Sequence, residues 1–174
     1  MKLCILGGGL TGLSLAKSLV KKGLSIDIFL NKKKSDFNRS RTIGISNDNL
    51  MYFNKEILDI KKLFWDIKKI EIYSDNLRNE KILNFENNNK TVFAIIRNYQ
   101  LQSKLLKSLK KDKLCKFKQN FDYNLSNLKK YKLIINCEND NYFSKKFFAR
   151  SLKKKYDSLA YTTILKHEKI QNNT

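Results

Sequence analysis

The sequence predicts an α/β fold that opens on a strand–helix–strand unit and later leaves its parallel sheet for an antiparallel excursion. Two observations carry this prediction. The first thirty residues run apolar strand, glycine turn, amphipathic stretch, apolar strand, which is a βαβ start. The middle of the chain then places short strand-like segments between polar turns rather than between helices, as antiparallel pairing requires.

"LCIL" (Leu3 to Leu6) reads as a short buried strand. A helix follows over Leu13 to Val20, where Leu13, Ala16 and Val20 recur at i, i+3 and i+7. Lys21 and Lys22 suit the negative end of its dipole, and Gly23 is a natural residue just past its end. "SIDIFL" alternates Ile26, Ile28 and Leu30 as a second strand, and "NKKKSDFNRS" is a charged loop. "RTIGIS" is extended, Ser46 or Asn47 caps a helix to about Leu58, and "IKKLFW" adds a helical turn. "IEIYS", "KILNF" and "TVFAII" are the strands of the excursion. "NYQLQSKLLKSLKK" is an amphipathic helix with Leu101, Leu105, Leu106 and Leu109 on one face. "LCKF" and "KLIINC" are further strands, the second apolar enough to be central. Ser144 caps a short helix to about Leu152, and "LAYTTILKHEKI" reads as a closing strand. No repeat, linker or domain boundary stands out in the 174 residues.

Composition narrows the function classes. The net charge of +20 comes from 31 Lys and 5 Arg, in doublets and triplets along the whole chain. Asn and Ile are abundant and Pro is absent, the pattern of an A/T-rich codon bias that charges every solvated face alike. A nucleic-acid surface concentrates Arg and aromatic residues on one element, so no specific nucleic-acid partner is expected. Weak, salt-sensitive attraction to polyanions or an anionic bilayer remains. Cys4, Cys115 and Cys137 form no Cys-x-x-Cys pair and read as reduced thiols of a cytoplasmic protein. No apolar run approaches the roughly 18 to 20 residues of a membrane span. His167 is the only histidine, so no metal site and no histidine-based catalytic constellation is expected.

In "GGGLTG" the spacing Gly7-x-Gly9-x-x-Gly12 satisfies the dinucleotide fingerprint of Rossmann-like folds. Gly7 makes the tight turn, Gly9 lets the backbone approach a pyrophosphate, and Gly12 lets helix and sheet pack closely. The helix N-terminus then offers N–H groups and partial positive charge to the phosphates. The acidic residue that takes the adenosine ribose belongs at the end of the second strand, where Leu30 or Asn31 stands, and Asp27 lies too early.

Taken in order, four blocks resemble the N-terminal part of the FAD-dependent aromatic-ring hydroxylases of ubiquinone biosynthesis, within the flavoprotein monooxygenases. They are "LCILGGGLTGLSLAKSLVKKG", "SRTIGISNDNLMYFNKEILDIKKLFWDI", "AIIRNYQLQSKLLKSL" and "KLIINCEND…SKKFF…YDSLAYTTILKHEKIQNNT". The resemblance implies a Rossmann-like FAD-binding fold over residues 1–174, with 160–174 starting a substrate region. It implies FAD contacts from Gly7, Gly9 and Gly12, Arg41 near the flavin, and Arg97 near the phosphates or ribityl chain. In the fourth block Asp140 keeps the family's spacing to Ser144, with Glu138 as the alternative equivalent. Asn141 replaces a turn glycine there, at a position expected to need positive φ. No catalytic side chain is expected, because the flavin carries the oxygen chemistry. NAD(P)H would be the reductant, and the substrate a prenylated aromatic ring at the inner face of a membrane. Family members are considerably longer, so the resemblance implies a fragment, a decayed copy, or a chain completed by a second polypeptide. A fold that has lost its cofactor and serves as a non-catalytic remnant or binding module is the alternative, and a basic nucleic-acid-binding protein the second.

Overall fold

The computed structural model describes residues 2–30, 39–74, 78–88, 90–119, 121, 129–148, 150, 152 and 154–159. Asn31 with most of the charged loop, His167, nearly all of the closing-strand segment and the region 160–174 lie outside the described residues. The chain divides into two compact units: Met1–Phe37 with Gln102–Thr162, and Asn38–Leu101 with Thr163–Thr174.

The first unit carries the βαβ start as β1 (Lys2–Leu6), α1 (Leu10–Lys21) and β2 (Ser25–Leu30). α1 begins directly after Gly9, three residues before the apolar period sets in. Gly23, just past its C-cap Lys22, has a φ of +79°, the left-handed conformation glycine adopts freely. β8 (Cys115–Gln119) and β9 (Leu133–Asn136) complete a four-stranded sheet of order β8-β2-β1-β9, parallel throughout. Leu3, Ile5, Ile26 and Ile28 are buried in it, as are Leu13, Ala16 and Val20 of α1. "KLIINC" was expected in the sheet centre, but β9 stands at its edge among the described residues, with Leu133 51% exposed. The centre belongs to β1 and β2, which are paired on both sides.

In the second unit the excursion divides in two. β5 (Lys69–Ser74) and β6 (Glu80–Glu86) form an antiparallel hairpin. β7 (Phe93–Arg97) instead pairs antiparallel with β3 (Thr42–Ser46) and β4 (Phe64–Ile67), in the order β3-β7-β4. Between β3 and β4, α2 (Asn47–Tyr52) continues as a π-helical turn over Phe53–Ile57. The expected helical turn at "IKKLFW" is not formed. The Asn54 side chain accepts a bond from the Ile60 N–H, Leu63 closes a turn onto Ile60, and Phe64–Ile67 then pair with β7. These β-forming residues follow their strand partner rather than the local helical period. Trp65 is 58% exposed on β4.

α3 (Asn98–Lys110) follows β7 without a break and buries Leu101, Leu105 and Leu109. The last described helix, α4 (Tyr142–Phe147), is shorter than the sequence suggests. Asn141 rather than Ser144 is its N-cap, because its carboxamide oxygen accepts the Ser144 N–H at 3.0 Å.

Candidate dinucleotide-binding site

The turn from β1 into α1 holds four glycines, and the three of the fingerprint differ in what surrounds them. Gly7 has φ +113° and donates its N–H to the Phe29 carbonyl at 3.0 Å, tying the turn to the end of β2. A Cβ there would lie 2.9 Å from Glu138 Cγ and 3.2 Å from the Cys137 carbonyl oxygen. A Cβ on Gly12 would lie 2.2 Å from the Gly7 carbonyl oxygen, so helix and turn touch backbone to backbone. Gly9 differs. It is the N-cap of α1 in an ordinary extended conformation (φ −73°, ψ 176°), and a Cβ added to it would meet nothing within 4 Å. No side chain caps this end of α1 and its first turn holds no acidic residue, so nothing within the helix itself offsets its positive end. The Gly8 carbonyl accepts a hydrogen bond from Gln102 Nε2 of α3 at 2.7 Å.

The turn lies at the C-terminal end of β1, between β2 on one side and β9 on the other. The chain order reverses there, which is where open α/β sheets bind ligands. Beyond β9, Cys137 donates to the Leu6 carbonyl, and Glu138 stands against Gly7. A polar network holds this second turn. Asn136 Oδ1 accepts from the Glu138 N–H (3.1 Å) and from Asn141 Nδ2 (2.7 Å), and Ser144 Oγ donates to the Glu138 carbonyl (2.9 Å). Asn141 has φ −138°, so no positive φ is needed there and its replacement of a family glycine costs no strain. Asp140 lies outside this network, its side chain 74% exposed and paired with Lys145 at 3.2 Å.

The carboxylate of β2 is committed elsewhere. Asp27 is fully buried in mid-strand, and its Oδ2 takes Lys118 Nζ at 2.7 Å, the Tyr131 hydroxyl at 2.7 Å and Lys2 Nζ at 3.0 Å. Burial pushes this carboxyl up, but the bonds from Lys118, Tyr131 and Lys2 outweigh it and hold it below the usual range. The neighbouring Cys4 thiol is pushed up to about 12, first by burial and then by the Asp27 charge, which makes it an inert core group. Asp27 is therefore unavailable to a ribose, and Leu30 ends the strand.

Arg41 and Arg97 lie in the other unit, side by side. Arg97 ends β7 opposite Thr42, and the Asn98 N–H donates to the Arg41 carbonyl at 2.9 Å. The Arg97 guanidinium rests 5.6 Å from the centre of the Trp65 ring, which accounts for an exposed indole at that place. The structure thus gathers Gly7, Gly9 and Gly12 in one turn, and sets Arg41, just before β3, beside Arg97 at the end of β7. Sequence reasoning left out Gln102 and the Asn136–Asn141 pair; a glutamine bordering the Leu101–Leu105 face was the available signal for the first. Among the described residues no group of three His, Cys, Asp or Glu side chains could hold a metal ion, and no helix is long and apolar enough to cross a membrane.

No protein-family model matches the chain, and no curated protein matches it. Solved structures do. The p-nitrophenol 4-monooxygenase PnpA from Pseudomonas putida DLL-E4 matches with a TM-score of 0.56 at 17% identity, over 68% of this chain and 31% of its own. PqsL from Pseudomonas aeruginosa, a probable FAD-dependent monooxygenase, reaches 0.64 at 10% identity, over 90% of this chain and 48% of its own. HpxO from Klebsiella pneumoniae, solved with FAD and uric acid, gives 0.51 at 20% identity, over 67% of this chain and 30% of its own. The chain spans less than half the length of each, and across that span it has the fold of FAD-dependent monooxygenases.

Proposed function

We propose that this chain binds FAD at the Gly7–Gly12 turn, as the nucleotide-binding part of a flavin-dependent monooxygenase acting on an aromatic ring. The observation that carries the reading is Gly9. Neither packing nor backbone strain requires glycine at that position, and its open side lies at the uncapped, positive end of α1. A pyrophosphate fits those conditions: it needs close backbone approach, free N–H groups and no side chain in the way.

In this reading Gly7 and Gly12 hold the turn in shape, and Gly9 with the first N–H groups of α1 binds the diphosphate. Arg41 and Arg97 supply fixed cations for phosphate or flavin oxygens. Of the two candidate carboxylates after β9, Glu138 stands at the turn and Asp140 would have to leave Lys145 to contribute. FAD, when bound, supplies the redox chemistry of ring hydroxylation, with NAD(P)H as reductant and O₂ as oxygen source. The finer reading is a prenylated aromatic substrate of ubiquinone biosynthesis. It rests on the order of "SRTIGIS" and "AIIRNYQLQ" after the glycine turn. The +20 charge favours a peripheral position on an anionic membrane.

One observation favours the second reading, a fold that has lost its cofactor. Among the described residues of β2 the only carboxylate is Asp27, and it is engaged. The absorption spectrum of the purified chain, after incubation with FAD and desalting, separates the two. A retained flavin band near roughly 450 nm, as for any bound oxidised flavin, is the expected result. A colourless protein with no saturable FAD binding at micromolar concentration overturns the proposal in favour of the second reading.

A further inference from the structure

Three successive glycines, Gly7 to Gly9, give the turn more backbone freedom than any other residues would. A loop that must present one N–H to a ligand has to lose that freedom, either during folding or on binding. The structure contains a device for losing it during folding. Gln102, far away in sequence on α3, donates its Nε2–H to the Gly8 carbonyl at 2.7 Å. A carbonyl accepts only a donor, so the amide end of the carboxamide must face the turn. All the described peptide bonds are trans, and in a planar trans peptide the N–H points opposite to the C=O of the same unit. Holding the Gly8 oxygen towards Gln102 therefore fixes the Gly9 N–H on the opposite side of that peptide.

We infer that Gln102 is a positioning residue for the pyrophosphate: it pins the Gly8–Gly9 peptide so that the Gly9 N–H is already directed before the ligand arrives. The inference rests on the FAD reading and adds a residue outside the glycine motif to it. Gln102 touches the turn and need not touch the ligand, so its effect is on the order of the loop and, through that, on affinity.

The test compares the wild-type chain with Gln102→Leu, Gln102→Glu and Gln102→Lys, with far-UV circular dichroism as the check on folding. Leu keeps the bulk and removes the donor, Glu replaces the donor with an acceptor, and Lys restores a donor of sufficient reach. Two measurements are made on each: amide hydrogen exchange at Gly8 and Gly9 without ligand, and dissociation constants for FAD and for riboflavin, which lacks the diphosphate. Leu and Glu are expected to speed exchange at Gly9 and weaken FAD about ten-fold, the scale of ordering one peptide unit. Riboflavin affinity should stay unchanged, and Lys should return the exchange rates to the wild-type range. Wild-type exchange and wild-type FAD affinity in Gln102→Leu would overturn the inference and leave the FAD reading standing. Equal weakening of FAD and riboflavin would also overturn it. Absence of FAD binding by the wild-type chain would instead defeat the FAD reading itself.

Discussion

The two ends of one glycine turn and its middle are held by different things. At Gly7 and Gly12 the chain meets itself: a Cβ on Gly12 would lie 2.2 Å from the Gly7 carbonyl oxygen, and Gly7 sits at φ +113°. At Gly9, between them, the chain meets nothing within 4 Å. A glycine turn that merely packs would need the first two and could dispense with the third. The difference teaches that a fingerprint is a mixture of folding residues and binding residues, and that structure can separate them.

The comparison breaks most sharply at Gly12. Gly12→Val forces a side chain into the Gly7 backbone and should cost about 3 kcal/mol or more, measured as a shift of the denaturant midpoint. A midpoint near wild type would mean that α1 can move away from the turn, and the contrast would collapse. Gly9→Val should do the reverse. Its extended backbone accepts any residue, so stability should fall by less than about 1 kcal/mol, while FAD retention after desalting is lost. Retention equal to wild type would remove Gly9 from the binding side.

A smaller effect sharpens the comparison by testing what fixes β2 next to the turn. Asp27→Asn leaves Lys2, Lys118 and Tyr131 without their shared carboxylate and should cost about 1.5–3 kcal/mol at pH 7. The folded carboxyl titrates below its ordinary value. Its stabilising contribution is therefore complete above about pH 4, the unfolded value, and is lost as pH falls through the folded one. Denaturation of both chains from pH 7 to pH 2 should show the gap closing only at the acid end; a constant gap would mean that packing, not charge, is at stake. The smallest change is expected at the surface hairpin. Glu71, which takes hydrogen bonds from Lys81, Lys69 and Tyr73, is held down to about 2, chiefly by Lys81 and Lys69. Glu71→Gln should leave the global midpoint and FAD binding alone and speed amide exchange only along β5 and β6.

How far the sequence could be read follows the range of the interactions. β1, α1 and β2 were legible because glycine spacing and a 3.6-residue period are local signals, and the same holds for α3. The pairing of β7 with β3 and β4 was not, because nothing within "TVFAII" says which strand it will meet. "FWDI" became a strand for the same reason. Ser144 and Asn141 are both good caps, and only the geometry of Asn136 decides between them. At the site, Gly7, Gly9 and Gly12 were readable as a set, but not that they divide into two kinds. Gln102 looked like any polar residue on a helix, because its partner is a backbone carbonyl from the other end of the chain.

The stack of Arg97 on Trp65 gives the molecule two independent colours. Trp65 is the only tryptophan, and it lies in the unit that does not contain the glycine turn. Its emission therefore follows the unfolding of that unit alone, whereas visible absorption of a flavin on the turn would follow the other. Superimposable curves from the two signals would identify a single cooperative body, and displaced curves two bodies that unfold in sequence.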